Sequence, residues 1–215
     1  MSRLQAGLIA FVALVIGVYA AINIAPPSNI NKTQHVSTYP QARALPDFQL
    51  VDHNNQSFTP ENLIGHWSLV FVGYTYCPDI CPTTLAELKS IYPELQKIPT
   101  DFPIQVVLMS VDPKRDTPKR LNEYIHFFHP DFIAVSGEHV QLFPLVRAMG
   151  MMYSMSESTD NPNYLVDHSS SVVVVNPKAQ VVGRFKPDFA VGKLPISEGQ
   201  KNTGRYAGNY VPIND

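Results

Sequence analysis

No basic run interrupts this sequence and its formal net charge is −2, so it lacks the electrostatic footprint of a nucleic-acid partner. No internal repeat is visible, which excludes a stack of like units. Cysteine is scarce, with Cys77 and Cys81 the only two. A disulfide between them would close too small a loop for cross-linking to contribute much, which argues against a purely structural bridge. What is present is an ordinary globular apolar content over 215 residues, enough for one domain with a sizeable core. Nineteen prolines, clustered in linkers and loops, indicate a compact fold with well-defined connections.

Ala6 to Ala25 is a run of twenty largely apolar residues, broken mildly by Gly7, Gly17 and Asn23. As a helix it would span roughly 30 Å, the thickness of a hydrocarbon core. Arg3 and the amino terminus precede it, so the positive-inside bias places the start in the cytoplasm and everything after Pro26 outside. Val18-Tyr19-Ala20 is a passable cleavage site and a signal peptide competes, but the length of the run favours an uncleaved anchor. The segment before it is too short for an Arg- and Ser-rich transit peptide. The expectation is therefore a bacterial inner-membrane protein with its domain in the periplasm. Residues 1–25 would be a transmembrane anchor and 26–44 a polar linker. Residues 45–195 would be the folded domain and 196–215 an irregular tail, Gly-, Asn- and Ser-rich and without apolar period.

The stretch that organises the domain is Trp67 to Leu88, WSLVFVGYTYCPDICPTTLAEL. Trp67 to Val72 has the length and content of a buried strand. Pro82 suits the first turn of a helix over Thr83 to Lys97, in which Leu85, Leu88, Ile91, Tyr92 and Leu95 recur at helical spacing. Both thiols therefore stand where a strand hands over to a helix N-terminus, a place that favours thiolate. Upstream, Asp47–Val51 and Gln56–Phe58 form a β-hairpin about an Asn-rich turn. Downstream come a strand over Ile104–Val111, a helix over Lys119–Phe128 capped by Thr117 and Pro118, and a short strand over Phe132–Val135. A helix over Glu138–Met149 follows, with Pro144 inside it. After a polar insert, Ser156–Asn163, strands over Val172–Val175 and Gln180–Phe185 close the domain as a hairpin. This alternation predicts an α/β sandwich of the thioredoxin type with an N-terminal β-hairpin.

Two thiols outside the cytoplasm suit redox catalysis, with three residues between them rather than the two of a Cys-x-x-Cys motif. They equally suit a soft metal such as Cu(I), and one imidazole would complete a three-coordinate site able to hold Cu(II) as well. Among the histidines, His35 and His53 fall in linker and turn. His66, His126, His129 and His139 lie beside the central strand or on helices as ordinary surface or satisfied groups. His168 differs, because it stands in a loop immediately before the strand Val172–Val175. In a thioredoxin-type sheet that strand lies beside the one feeding the cysteines. No proline occurs between Asn163 and Asn176, where thioredoxins carry a proline, and this favours a ligand site over a substrate-thiol clamp. A peroxiredoxin-type peroxidase wants a proline four residues before the attacking cysteine, and Gly73 occupies that position. Met149, Met151, Met152 and Met155 are read as core and strand-edge filling, and Arg115 with Asp116 as an ion pair fixing the loop after the second strand. Tyr74 and Tyr76 shield the site or dock a partner.

Three motifs in order, Tyr74-Thr75-Tyr76-Cys77-Pro78-Asp79-Ile80-Cys81-Pro82-Thr83-Thr84, then Ser110-Val111-Asp112-Pro113-Lys114-Arg115-Asp116-Thr117-Pro118, then Val166-Asp167-His168-Ser169, resemble the Sco/SenC family of membrane-anchored copper proteins. The resemblance spans roughly Leu45 to Pro187. It implies a thioredoxin-like fold and copper, Cu(I) or Cu(II), held by Cys77, Cys81 and His168. It also implies delivery of copper to the dinuclear centre of cytochrome c oxidase subunit II, a carrier's task rather than an enzyme's turnover. Asp79, Asp112 and Asp167 match the motifs as turn-making and capping residues, not as ligands. A partner that reduces the Cys77–Cys81 disulfide is implied by the oxidising compartment. The alternative is a membrane-tethered thiol–disulfide oxidoreductase that keeps the oxidase cysteines reduced. In one respect the chain departs from the family, whose members finish with an amphipathic helix. Here KLPISEGQKNTGRYAGNYVPIND stands instead, so one helical layer over the sheet would be missing, replaced or supplied by a partner.

Overall fold

The computed structural model describes residues 36–155 and 161–186, together with 5, 7, 11–17 and 19 near the amino terminus. The chain divides into two units, Met1–Gln34 and His35–Asp215. In the first, residues 11–17 are helical. No helix among the described residues is long and apolar enough to cross a membrane. Most of the remaining span expected as an anchor, and the whole tail from Ile196, lie outside the described residues.

The second unit contains β1 (Val36–Ala44), β2 (Leu50–Asp52), β3 (Ser57–Phe58), β4 (Trp67–Gly73), α1 (Ile80–Leu95), β5 (Ile104–Ser110), α2 (Pro118–Phe128) and β6 (Ile133–Ser136). It continues with α3 (His139–Ala148), β7 (Tyr153–Met155), β8 (Val166–His168), β9 (Val172–Val175) and β10 (Gln180–Phe185). Among the described residues one sheet runs in the order β1-β10-β9-β4-β5-β6-β2-β3, and β7 pairs with β8 as a separate ribbon. Every residue of β4 and β5 is buried, as continuous apolar strands covered on both faces require. β4, β5 and β6 run parallel. Right-handed crossovers in the same direction put α1 and α2 on one face of the sheet. On α1 the buried residues Cys81, Thr84, Leu85, Leu88 and Tyr92 form one stripe. Burying each of its leucines stabilises the fold by about 1.5–3 kcal/mol.

This order positions the site. Gly73 is in register with Ser110, so the loops after β4 and β5 leave the sheet side by side. β9 runs antiparallel to β4 with Val172 opposite Phe71, so the residues just before β9 arrive at the same end. In open α/β sheets that end, beyond the carboxyl ends of the parallel strands, is where ligands bind.

Both hairpins form as their turn residues predict. Asp52 Oδ1 accepts the N–H groups of Asn54 and Gln56, both at 2.8 Å, and Asn55 takes a positive φ of 62°. Asn176 Oδ1 accepts from Lys178 and Gln180, and Ala179 sits at φ 57°. The first hairpin is also the margin of the main sheet, through β2 against β6.

Three expectations need correction. Residues 36–44, read above as linker, are β1, paired antiparallel to β10. Its sequence VSTYPQARA carries no apolar alternation because this edge strand is largely exposed. Pro40 is tolerable there, inside the interval where the register shifts. α1 starts at Ile80, two residues before Pro82, which places Cys81 inside the first turn rather than ahead of it. His168 ends a short strand instead of lying in a loop; its partner β7 has no strong pattern of its own.

Candidate metal centre

β4 delivers the chain to Tyr74, and six residues later α1 begins. Cys77 lies in the intervening turn and is half-buried, whereas Cys81 is fully buried on the inner stripe of α1. His168 comes from the other side. β8 is held by β7, with Tyr153 opposite His168, and the Ser169 N–H donates to the Met152 carbonyl at 3.0 Å. Cys77, Cys81 and His168 thereby present one ligand atom each, all within 4.8 Å of one another, and Cys81 Sγ lies 3.3 Å from His168 Nε2. No other group of three or more Cys, His, Asp or Glu side chains among the described residues is placed to hold a metal ion.

The imidazole is oriented. Its Nδ1 lies 3.2 Å from the Ser169 carbonyl oxygen. A carbonyl only accepts, so Nδ1 carries the hydrogen and the Nε2 lone pair faces the sulfurs. Tyr74, 2% exposed, packs edge-to-face on this ring at 5.8 Å between centroids, and its hydroxyl accepts the Val166 N–H. Tyr76, by contrast, is 49% exposed. The two tyrosines flanking Cys77 thus separate into one that fixes the histidine and one at the surface.

The sulfurs share a proton unequally. A hydrogen bond from Cys81, helped by the backbone N–H groups of Asp79 and Cys81, pulls Cys77 down to about 3 against its burial. The N–H donors belong to the start of α1, where unpaired amides favour an anion. Cys81 moves the other way, held protonated by its bond to Cys77 and by burial. The metal-free pair is therefore a Cys77 thiolate accepting from a Cys81 thiol. In reduced, metal-free protein the rate of Cys77 alkylation should vary little between pH 5 and 8. An unperturbed thiol loses about tenfold per unit below its pKa. A steep profile, measured by mass spectrometry of labelled peptides, would contradict this assignment.

The loop after β5 braces the site. Asp116, 2% exposed, accepts from Thr75 N (2.9 Å), Thr75 Oγ1 (2.7 Å) and Ser110 Oγ (2.6 Å), tying this loop to the one that leads to Cys77. Arg115 does not pair with Asp116 as expected. Its Nε donates to Asp112 at 2.5 Å, because Asp116 is already occupied by Thr75 and Ser110. Asp112 also accepts from the Tyr164 hydroxyl, and the Arg115 guanidinium lies 3.6 Å from the Tyr164 ring centroid while Nη1 donates to the Pro162 carbonyl. One arginine thus joins the β5 loop to the segment that leads into His168. Nothing in the sequence around Tyr164 pointed to it, whereas the Asp-Pro-Lys-Arg-Asp-Thr-Pro motif did mark Asp112, Arg115 and Asp116.

The remaining histidines take other partners. His53 is not a solvated turn residue: it is 8% exposed, and its Nδ1 accepts the Ala134 N–H. Burial lowers its pKa. His66, His126, His129 and His139 contact Ile64, Asn122, Asp131 and Tyr153, and His35 lies outside the described residues. Met149 and Met151 are buried in the core while Met152 is exposed.

A thioredoxin-like α/β sheet that gathers two thiols and an imidazole beyond the ends of its parallel strands defines a class of soft-metal-binding domains. The SCO1/SenC family model matches residues 36–194, and the chain belongs to this family. An SCO2-like protein of Rickettsia prowazekii (strain Madrid E) is 32% identical over 191 residues, covering 87% of this chain and 92% of that protein. The crystal structure of Arabidopsis thaliana ScoI with copper bound superposes with a TM-score of 0.61 at 30% identity, covering 67% of this chain and 88% of that one. The solution structure of apo Sco1 from Thermus thermophilus gives 0.63 at 31% identity, over 74% and 91%.

Proposed function

We propose that this chain carries copper between Cys77, Cys81 and His168 and gives it up during assembly of cytochrome c oxidase, with the dinuclear site of subunit II as recipient. The observation that carries the reading is the cluster itself, two sulfurs and an oriented imidazole nitrogen within 4.8 Å. Two thiolates and one imidazole are a soft donor set that suits Cu(I) and also accommodates Cu(II). The relatives solved with copper bound support this cargo. Release is ligand exchange. Cys77, the half-buried sulfur, is the cysteine an incoming thiolate reaches first, while the buried Cys81 stays behind it. Binding requires the reduced pair, so a thiol reductant acts upstream. Residues 1–25 would anchor the domain at the periplasmic face of a bacterial inner membrane, consistent with the apolar run from Ala6.

The test is the copper content of the reduced full chain against Cys77→Ser, Cys81→Ser and His168→Ala. Each variant should retain copper at least about tenfold more weakly than wild type. Wild-type retention in His168→Ala would remove the third ligand.

A second reading has its own observation. A half-buried Cys77 thiolate backed by a buried Cys81 thiol is also the arrangement of an attacking and a resolving cysteine. Thiol–disulfide exchange would need both cysteines and tolerate His168→Ala, so disulfide reduction by rigorously metal-free His168→Ala at the wild-type rate favours it.

A further inference from the structure

Tyr76 and Arg120 take no part in the metal cluster, yet they meet at the turn that ends on Cys77. The Cys77 N–H donates to the Tyr74 carbonyl at 3.3 Å, so Thr75 and Tyr76 are the corners of a tight turn. Thr75 is buried and Tyr76 exposed. Arg120 reaches this turn from α2. Its Nε donates to Thr75 Oγ1 at 3.1 Å, and its guanidinium lies 5.2 Å from the centre of the Tyr76 ring. One nitrogen is thereby anchored and the whole group is held over an exposed aromatic face, next to the residue that carries the more accessible sulfur.

The charge of Arg120 is not used within the fold. Among the described residues it forms no ion pair, although Glu123 follows it by three positions on the same helix. Arg115 lies over the same ring at 4.8 Å, but Asp112 pairs with it. Arg120 also stands in the first turn of α2 behind Lys119, where no acidic residue occurs. A helix N-terminus favours negative charge, so two cations there oppose the macrodipole. Natural chains break such local rules chiefly at functional sites. A guanidinium anchored through Nε keeps Nη1 and Nη2 as a fork that matches a carboxylate. Exposed tyrosine beside arginine is the pairing that protein interfaces enrich.

Resting on the exchange of Cys77 with a partner's sulfur, which both readings above share, we propose that Arg120 and Tyr76 form a recognition surface for a partner protein bearing a carboxylate beside its reactive thiol. The fork takes the carboxylate, the ring packs against the segment that carries it, and the partner's thiol is brought to Cys77. An acidic partner would otherwise be repelled by the thiolate it approaches, and the guanidinium offsets that repulsion.

The probes are synthetic two-cysteine peptides, identical except for flanking glutamates, glutamines or lysines. In one arm the reduced peptides take Cu(I) from the loaded full chain: a bond from copper to a peptide sulfur forms, the Cys77 bond breaks, and copper stays Cu(I). In the other arm the peptides are disulfides and the chain is reduced and metal-free. Cys77 attacks one peptide sulfur, the other leaves as thiolate, and Cys81 then displaces the first, so the chain is oxidised and the peptide reduced. In both arms the glutamate peptide should react about tenfold faster than the glutamine peptide and the lysine peptide more slowly still, with the ratios shrinking as salt rises. Arg120→Gln, which keeps a donor for Thr75, should abolish the ratios at wild-type copper affinity and thermal midpoint, and Arg120→Lys should restore part of them. Lys178→Gln removes the same charge in the turn between β9 and β10, at the far end of the sheet, and should keep the ratios. Equal rates for the three peptides with wild type, ratios that survive Arg120→Gln, or equal loss in Lys178→Gln would overturn the proposal. So would Arg120→Gln with weakened copper binding, which would make Arg120 a support of the cluster. Wild type that holds no copper overturns the copper reading alone, and the disulfide arm then decides this proposal by the same ratios.

Discussion

Gly73→Ala is expected to melt below wild type and to hold copper at least about tenfold more weakly. A Cβ on Gly73 would lie 2.7 Å from Cys81 Sγ and 2.9 Å from Phe71 Cζ. Neither atom can yield easily. Phe71 is fully buried within β4, and Gly73 itself is fixed in register with Ser110 of β5. Overpacking of this kind costs about 1–3 kcal/mol. The cheapest relief is rotation of Cys81, which swings its sulfur away from His168 Nε2, now 3.3 Å distant. Stability and copper affinity should therefore fall together in this variant. Thermal denaturation with chelator competition checks both, and an alanine variant with unaltered affinity would show that the sulfur is not wedged against the strand.

Asp116→Ala is expected to have the largest effect on stability, about 3–5 kcal/mol, because it strands the Thr75 N–H, the Thr75 hydroxyl and the Ser110 hydroxyl in the interior. Asp116→Asn keeps an acceptor oxygen and should cost less. The two also differ in pH dependence. Burial raises the Asp116 carboxyl above its ordinary value, against the bonds from Ser110 and Thr75. The folded state therefore keeps this proton to higher pH than the unfolded chain. Stability from this group is greatest in acid and declines as pH rises from the ordinary carboxylate value to the raised one. Asp116→Asn lacks that decline. Denaturant melts across the acidic range should show the difference between wild type and Asp116→Asn shifting in favour of Asn as pH rises; the opposite slope would refute the assignment.

Much of the site was legible because its signals are local. An apolar run of strand length, two thiols and a leucine stripe place Cys77 and Cys81 at a strand–helix junction from sequence alone. His168 was legible by topology, since a strand paired beside β4 brings its preceding residues to the cysteines. What escaped depends on contacts between distant segments. β1 carries no apolar pattern, as its side chains need none at a solvent-facing edge. Arg115 chose Asp112 over its chain neighbour because Thr75, forty-one residues from Asp116 in sequence, had filled that carboxylate. Gly73 had looked like the mere absence of a peroxidase proline, and its steric role appears only when Cys81 is seen against it.

The most direct measurement is the absorption and electron-spin-resonance spectrum of the reduced, Cu(II)-loaded full chain beside His168→Ala. Wild type should give a sulfur-to-copper charge-transfer band together with nitrogen coupling from one imidazole, and the variant should lose the nitrogen signal. Nitrogen coupling that survives unchanged in His168→Ala, or the absence of any sulfur band in wild type, would contradict the Cys77, Cys81 and His168 site.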